Sequence, residues 1–243
     1  MVIKMANISG WRIVKMALKT IVLIIIVGTV GLLLWRIFSS GDPIGMKTLK
    51  ANDTLLAAWD AAAAEGESLT MFTQIQPTTI TTATHNYNYF AVSNVVFIPD
   101  AEQVQLTFRY TNSTIRHLTE DKGLSEVPDR HEDLFDVTLW AVYDLTPEVK
   151  GDDENVEYVR FHPTASLTEA DTKNLYNYRR LVFDGVDMTS DEKPLLSLFM
   201  DVYYVGDIDY EADPYGTLPL YQYVYTNVAY EVTEEDLKAL GRS

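Results

Sequence analysis

The chain contains no cysteine. Disulfide staples are therefore excluded, so packing alone must hold the fold, and lipid attachment through cysteine and thiol catalysis are excluded with them. Cations are scarce: 19 lysines and arginines stand against 35 aspartates and glutamates. Five of the basic residues and none of the acidic ones lie in residues 1 to 41, which leaves residues 42 to 243 with 14 basic against 35 acidic side chains, a formal charge of −21. A surface of that sign repels nucleic-acid phosphates and anionic lipid, so no nucleic-acid partner is expected. Glycine-rich phosphate loops, the Gly-x-Ser-x-Gly elbow and a convincing Ser-x-x-Lys setting are also lacking, which removes the usual signatures of nucleotide binding and nucleophilic catalysis. There is no internal repeat and no low-complexity tract.

What is present begins with IVLIIIVGTVGLLLW, the 15 uncharged residues from Ile21 to Trp35. As a helix this run covers about 22 Å, short of a hydrocarbon layer of roughly 30 Å. Met16, Ala17, Leu18, Ile37 and Phe38 extend it, while the stems of Lys19 and Arg36 reach toward the headgroups, so that residues 16 to 38 span about 34 Å. Trp11 beside Arg12 and Trp35 beside Arg36 suit the two interfaces. A cleaved signal peptide also fits the apolar run, with Ser39-Ser40-Gly41 as the cleavage site; the long arm ahead of the run and the intervening Arg36, Ile37 and Phe38 favour an uncleaved anchor. Lys4, Arg12, Lys15 and Lys19 precede the span without an acid, whereas Arg36, Lys47 and Lys50 follow it among Asp42 and Asp53. That bias predicts a cytoplasmic N-terminus and an extracytoplasmic C-terminal domain. The expected order is a basic arm (1 to 15), a transmembrane helix (16 to 38), a linker (39 to 47) and an acidic domain (48 to 243).

Within the domain, Leu55, Leu56, Trp59, Ala62 and Ala63 have helical spacing, Asn52 or Asp53 suits the N-cap and Gly66 the stop, so a helix is expected from Asp53 to Glu65. Thr233 and Asp236 form a capping box for a second helix, Thr233 to Leu240, which Gly241 ends. Between them the period is two. Val104, Leu106, Phe108 and Tyr110 alternate with Gln103, Gln105, Thr107 and Arg109, as in a strand with one buried and one wet face. Phe135 to Tyr143 and Leu196 to Tyr204 repeat the pattern. Tyr87 to Ile98, with a bulge near Ser93-Asn94, and Leu175 to Phe183 and Leu218 to Tyr225 are apolar on both faces and read as central strands. Weaker candidates lie at Leu69 to Gln74, Thr78 to Thr82 and Tyr158 to Phe161. Eight or nine strands without βαβ alternation predict a mainly β domain, an antiparallel sandwich of immunoglobulin-like or jelly-roll type with a short helix at each end.

Three stretches offer chemistry. The long connection Ser113 to Asp133 carries His117, His131 and several carboxylates, from which a metal or acid-base site could be assembled, although the histidine spacing matches no standard ligand pattern. Asp207, Asp209, Glu211 and Asp213 alternate in the manner that opens a calcium loop, but Ala212 stands where that loop turns on glycine and Leu218 where its bidentate glutamate belongs. An acidic strand face in solvent explains the same pattern, so calcium is not expected and no cofactor is assigned. Tyr221, Tyr223 and Tyr225 share one strand face, which is an aromatic platform for a sugar or protein partner if exposed and core if buried. Asn52-Asp53-Thr54 and Asn112-Ser113-Thr114 match the glycosylation acceptor pattern. The expected function is a single-pass membrane-anchored extracytoplasmic interaction module of the cell envelope, held in the lipid bilayer by residues 16 to 38 and meeting a protein or glycan; the alternative is a carbohydrate-active or metal-dependent surface enzyme using the 113 to 133 loop.

Overall fold

The computed structural model describes residues 10–38, 44–73, 78–79, 91–111, 113, 116, 135–145, 155–171, 176–204, 218–221 and 228–242. The chain forms two compact units, Met1–Gly41 and Asp42–Ser243. In the first, α1 runs from Gly10 to Phe38. Its segment Ile13–Trp35, 23 residues, is long and apolar enough to cross a membrane, and none of it is buried within the protein. Its two hydroxyls stay satisfied inside the helix: Thr20 Oγ1 donates to the Met16 carbonyl (3.0 Å) and Thr29 Oγ1 to that of Ile25 (2.8 Å), the arrangement that lets threonine enter an apolar helix cheaply. The Lys15 ammonium lies 5.3 Å from the centre of the Trp11 ring, a cation–π contact at the N-terminal end.

The second unit is mainly β. After the short helix α2 (Ile44–Lys47) comes α3 (Asp53–Glu65), with Asn52 Oδ1 accepting the Leu55 N–H and Gly66, at φ 73°, closing it in the left-handed conformation. Eleven strands follow among the described residues: β1 (Phe72–Thr73), β2 (Thr78–Thr79), β3 (Ala91–Ile98), β4 (Gln103–Thr111), β5 (Phe135–Asp144), β6 (Val156–Phe161), β7 (Ala165–Asp171), β8 (Tyr176–Asp184), β9 (Leu195–Tyr204), β10 (Leu218–Tyr221) and β11 (Val228–Ala229). A 3₁₀ turn, Pro99–Ala101, joins β3 to β4. The last element, α4 (Glu234–Ala239), has the expected capping box between Thr233 and Asp236.

The strands make two antiparallel sheets, one ordered β11-β1-β3-β4-β8-β7 with β2 also paired to β3, the other β10-β9-β5-β6. Val95, Phe97, Val104, Leu106, Leu181 and Phe183 of the first sheet share one core with Val137, Leu139, Ala141, Leu198 and Met200 of the second. The bulge expected near Ser93-Asn94 is there, as a register shift between Ser93 and Val96 opposite β4. β8, buried without a break from Asn177 to Phe183, is central as its apolar run required.

Five expectations change. Gln103, Gln105 and Thr107 were the wet face of β4, yet each is wholly buried, because residues 46 to 52 lie across them. β5 is likewise covered on both faces, with Thr138, Trp140 and Val142 buried opposite the core side. Leu218 to Tyr225 reads as a central strand, but among the described residues β10 is an edge of its sheet, the location where Pro219, with no N–H to give to a ladder, is tolerated. A strict period of two from Leu196 puts Leu196 on the core face with Leu198 and Met200; β9 instead bulges against Val142 and Tyr143, so that Leu195 packs on the core and Leu196 is 43% exposed. Nor do α3 and α4 cap separate ends. Leu55 of α3 and Leu240 at the end of α4 enter the same second cluster with Leu49, Met71, Val96 and Ile98, and Trp59 packs against it.

Candidate functional site

The cover of β4 is a polar clasp built from side chains that the strand period places on one face. The Gln105 carboxamide accepts the Lys50 N–H (2.7 Å) and donates to the Lys50 carbonyl (2.9 Å), so it pairs with backbone as a neighbouring strand would. Thr107 Oγ1 donates to the Met46 carbonyl at 2.6 Å, which the buried Arg180 guanidinium on β8 also reaches. Asn52 does double service: beyond capping α3, its Oδ1 accepts from Gln103 Nε2 (3.0 Å) and its Nδ2 donates to the Asp184 carboxylate (3.1 Å). From the other terminus Asp236, wholly buried, accepts the Leu49 N–H at 2.7 Å. Its second oxygen accepts from Tyr230 Oη (2.8 Å), the Thr233 N–H (2.9 Å) and Thr233 Oγ1 (2.9 Å). Burial, followed by the bond to Asp236, pushes the Tyr230 phenol well above its ordinary pKa. These contacts are structural: they tie residues 46 to 52 to β4, to β8 and to the C-terminal helix.

A concave site lies elsewhere in the same unit, where β1 and β3 meet the chain leading into β9. Phe72 and Phe97 are register partners across β1 and β3, which puts both rings on the core-facing side. With Pro99 and Met188 they line a cavity of about 240 Å³, and the exposed Thr70, Asp100 and Thr189 complete its mouth. Each wall is positioned by local chemistry. Pro99 opens the 3₁₀ turn that ends β3, and Asp100 Oδ2 in that turn accepts the Thr70 N–H (2.6 Å), holding the approach to β1. Gly185, at φ 80°, turns the chain out of β8. The Val186 N–H then donates to the Glu102 carbonyl (2.8 Å), and Asp187 Oδ1 accepts from the Thr189 and Ser190 N–H groups (2.9 and 3.0 Å), an Asx turn that presents Met188 inward.

The field around this corner is negative. The Tyr143 phenol at the end of β5 is pushed up to about 12, first by burial, then by the charge of Asp187, with Glu102 and Glu157 adding to it. Phenyl faces, a thioether, a carboxylate and two hydroxyls together can hold a small apolar group and orient a positive charge at its end.

His117, His131, Asp207, Asp209, Glu211, Asp213, Tyr223 and Tyr225 lie outside the described residues, and of Tyr221 only the backbone is described, in β10 beside Leu198. Among the described residues no three His, Asp or Glu side chains stand together as a metal site. The cavity residues went unnoticed because they come from three separated segments, and the only sequence mark was Pro99-Asp100 at the end of an apolar strand. Comparison of the chain with protein-family models, with curated proteins and with solved structures gave no match.

Proposed function

We propose that this is a single-pass membrane protein of the cell envelope, with its N-terminus in the cytoplasm and residues beyond the anchor forming an extracytoplasmic binding module, a β-sandwich of immunoglobulin-like or jelly-roll type. The observation that carries the reading is the joining of an unburied 23-residue apolar helix to a separate compact unit. The charge partition supports it: every acidic residue of the chain belongs to the second unit, and the basic arm precedes the helix, the side that stays in the cytoplasm. The two antiparallel sheets sharing one core support the sandwich.

Because the chain lacks cysteine, single cysteines report topology without background. Lys193 is exposed, in a surface ion pair with Glu157, so Lys193→Cys perturbs little. In intact cells a membrane-impermeant maleimide should label Lys193→Cys, and should label Asn7→Cys only after the membrane is opened. The opposite pattern would reverse the orientation, and a wholly soluble product shortened by about 41 residues would replace the anchor with a cleaved signal peptide.

A further inference from the structure

We infer that the cavity between Phe72, Phe97 and Met188 is a binding site for a small organic ammonium ion, a single aromatic ring or short aliphatic chain ending in a cationic nitrogen. Size sets the first limit. At about 240 Å³ it falls under the roughly 300 to 1,000 Å³ of sites for drug-sized ligands, yet exceeds the roughly 150 Å³ that holds benzene in an apolar protein cavity. One ring with a two- or three-atom arm fits, and a disaccharide does not.

The lining sets the second limit. Half-buried Phe72, Pro99 and Met188 supply the accessible apolar walls, backed by the wholly buried Phe97. Carbon and sulfur surfaces of this kind favour an apolar body, and a thioether beside ring edges favours an aromatic one. Polarity is confined to the mouth. Asp100 Oδ2 accepts the Thr70 N–H, which holds the carboxylate at the rim, and a carboxylate has further acceptor capacity for an incoming donor.

Charge sets the third. Asp187 flanks Met188 in the chain, and its charge is the largest of those acting on Tyr143, whose phenol burial and that charge push up. A cation entering at the mouth meets the Asp100 carboxylate there, and its nitrogen can stand over a phenyl face while its charge is met at the rim. An anionic or neutral ring of equal size lacks that second contribution. This gives the proposed binding module a ligand class, and it is independent of membrane topology: a failed titration would leave the orientation reading standing, and a reversed orientation would leave the titration standing.

The test uses the full chain in a non-ionic detergent, with methionine methyl groups carbon-13 labelled and the Met188 signal assigned by Met188→Leu. Phenethylammonium chloride should shift the Met188 methyl resonance saturably at millimolar concentration or below. 2-Phenylethanol should bind roughly five-fold more weakly or less, and phenylacetate more weakly still. Asp100→Asn keeps an oxygen for the Thr70 N–H but not the charge, and should weaken phenethylammonium binding about five-fold while leaving 2-phenylethanol unaffected. No saturable shift at 10-fold higher concentration, equal binding of the three compounds, or an Asp100→Asn variant that binds the amine as tightly as the wild type would each overturn the proposal.

Discussion

Replacing Asp236 by asparagine changes one atom and removes one charge, and the structure fixes what that does. Oδ1 accepts the Leu49 N–H, and Oδ2 accepts three donors, from the Thr233 N–H, Thr233 Oγ1 and Tyr230 Oη. The asparagine amide has one oxygen and one NH₂. If the NH₂ takes the Oδ2 position, the two hydroxyls can turn and accept, but the Thr233 N–H faces a donor. If it takes the Oδ1 position, the Leu49 N–H does. Either way one backbone N–H in a buried setting loses its acceptor, at about 1 to 3 kcal/mol, and the remaining bonds lose their charge assistance. A destabilisation of about 2 to 4 kcal/mol is expected, against a total of roughly 5 to 15 kcal/mol. Denaturant unfolding of the full chain in detergent, followed by near-ultraviolet circular dichroism, measures it. Hydrogen exchange then identifies the orphan, since one of the Leu49 and Thr233 amides should lose protection while the other keeps it. A change below about 0.5 kcal/mol with both amides still protected would refute the reasoning.

Leu198→Asp places an unpaired charge in the shared core, where Leu198 is wholly buried, and should cost several kcal/mol, about 4 or more, or abolish cooperative unfolding; near-normal stability would mean that β9 presents its other face. Tyr143, raised from 10.0 to about 12 in the folded state, holds its proton more tightly folded than unfolded. Its contribution is complete below pH 10 and is lost as pH rises from 10 toward 12, by about 1.4 kcal/mol at pH 11. Wild type should therefore lose that much more stability than Tyr143→Phe between pH 9 and pH 11, measured by denaturant midpoints at each pH.

Local signals carried through to structure where the neighbours that satisfy them are close in the chain. Asn52 and Gly66 bracket α3 as expected, Thr233 and Asp236 cap α4, and the polar pair Ser93-Asn94 breaks an apolar strand where the bulge falls. The alternation from Gln103 to Thr111 announces a strand but not what lies over it. Gln103, Gln105 and Thr107 look like residues for water, and only the return of residues 46 to 52, about fifty positions earlier, turns them inward. β7 and β11 were missed because ASLTEAD is half polar and VA is too short to show a period. The bulge that turns out Leu196 is set by its partner strand, which no period within β9 reports. The candidate cavity was invisible for the same reason: Phe72, Phe97 and Met188 each read as ordinary core residues until the sheet register and an Asx turn set them around one space.

The clasp over β4 has a consequence for where this chain can be cut. Met46, in the stretch that composition marks as linker, is wholly buried, and its carbonyl receives Thr107 and Arg180. A soluble fragment begun at residue 48 would deprive the buried Arg180 of that carbonyl, and one begun at Asp53 would also bare the carboxamides of Gln103 and Gln105 and the carboxylate of Asp236. A protease acting ahead of Ile44 would shed the domain with its cover in place. The same protease acting a few residues later would release a piece that has lost its own lid, so the usable window for release is the short stretch between Phe38 and Ile44.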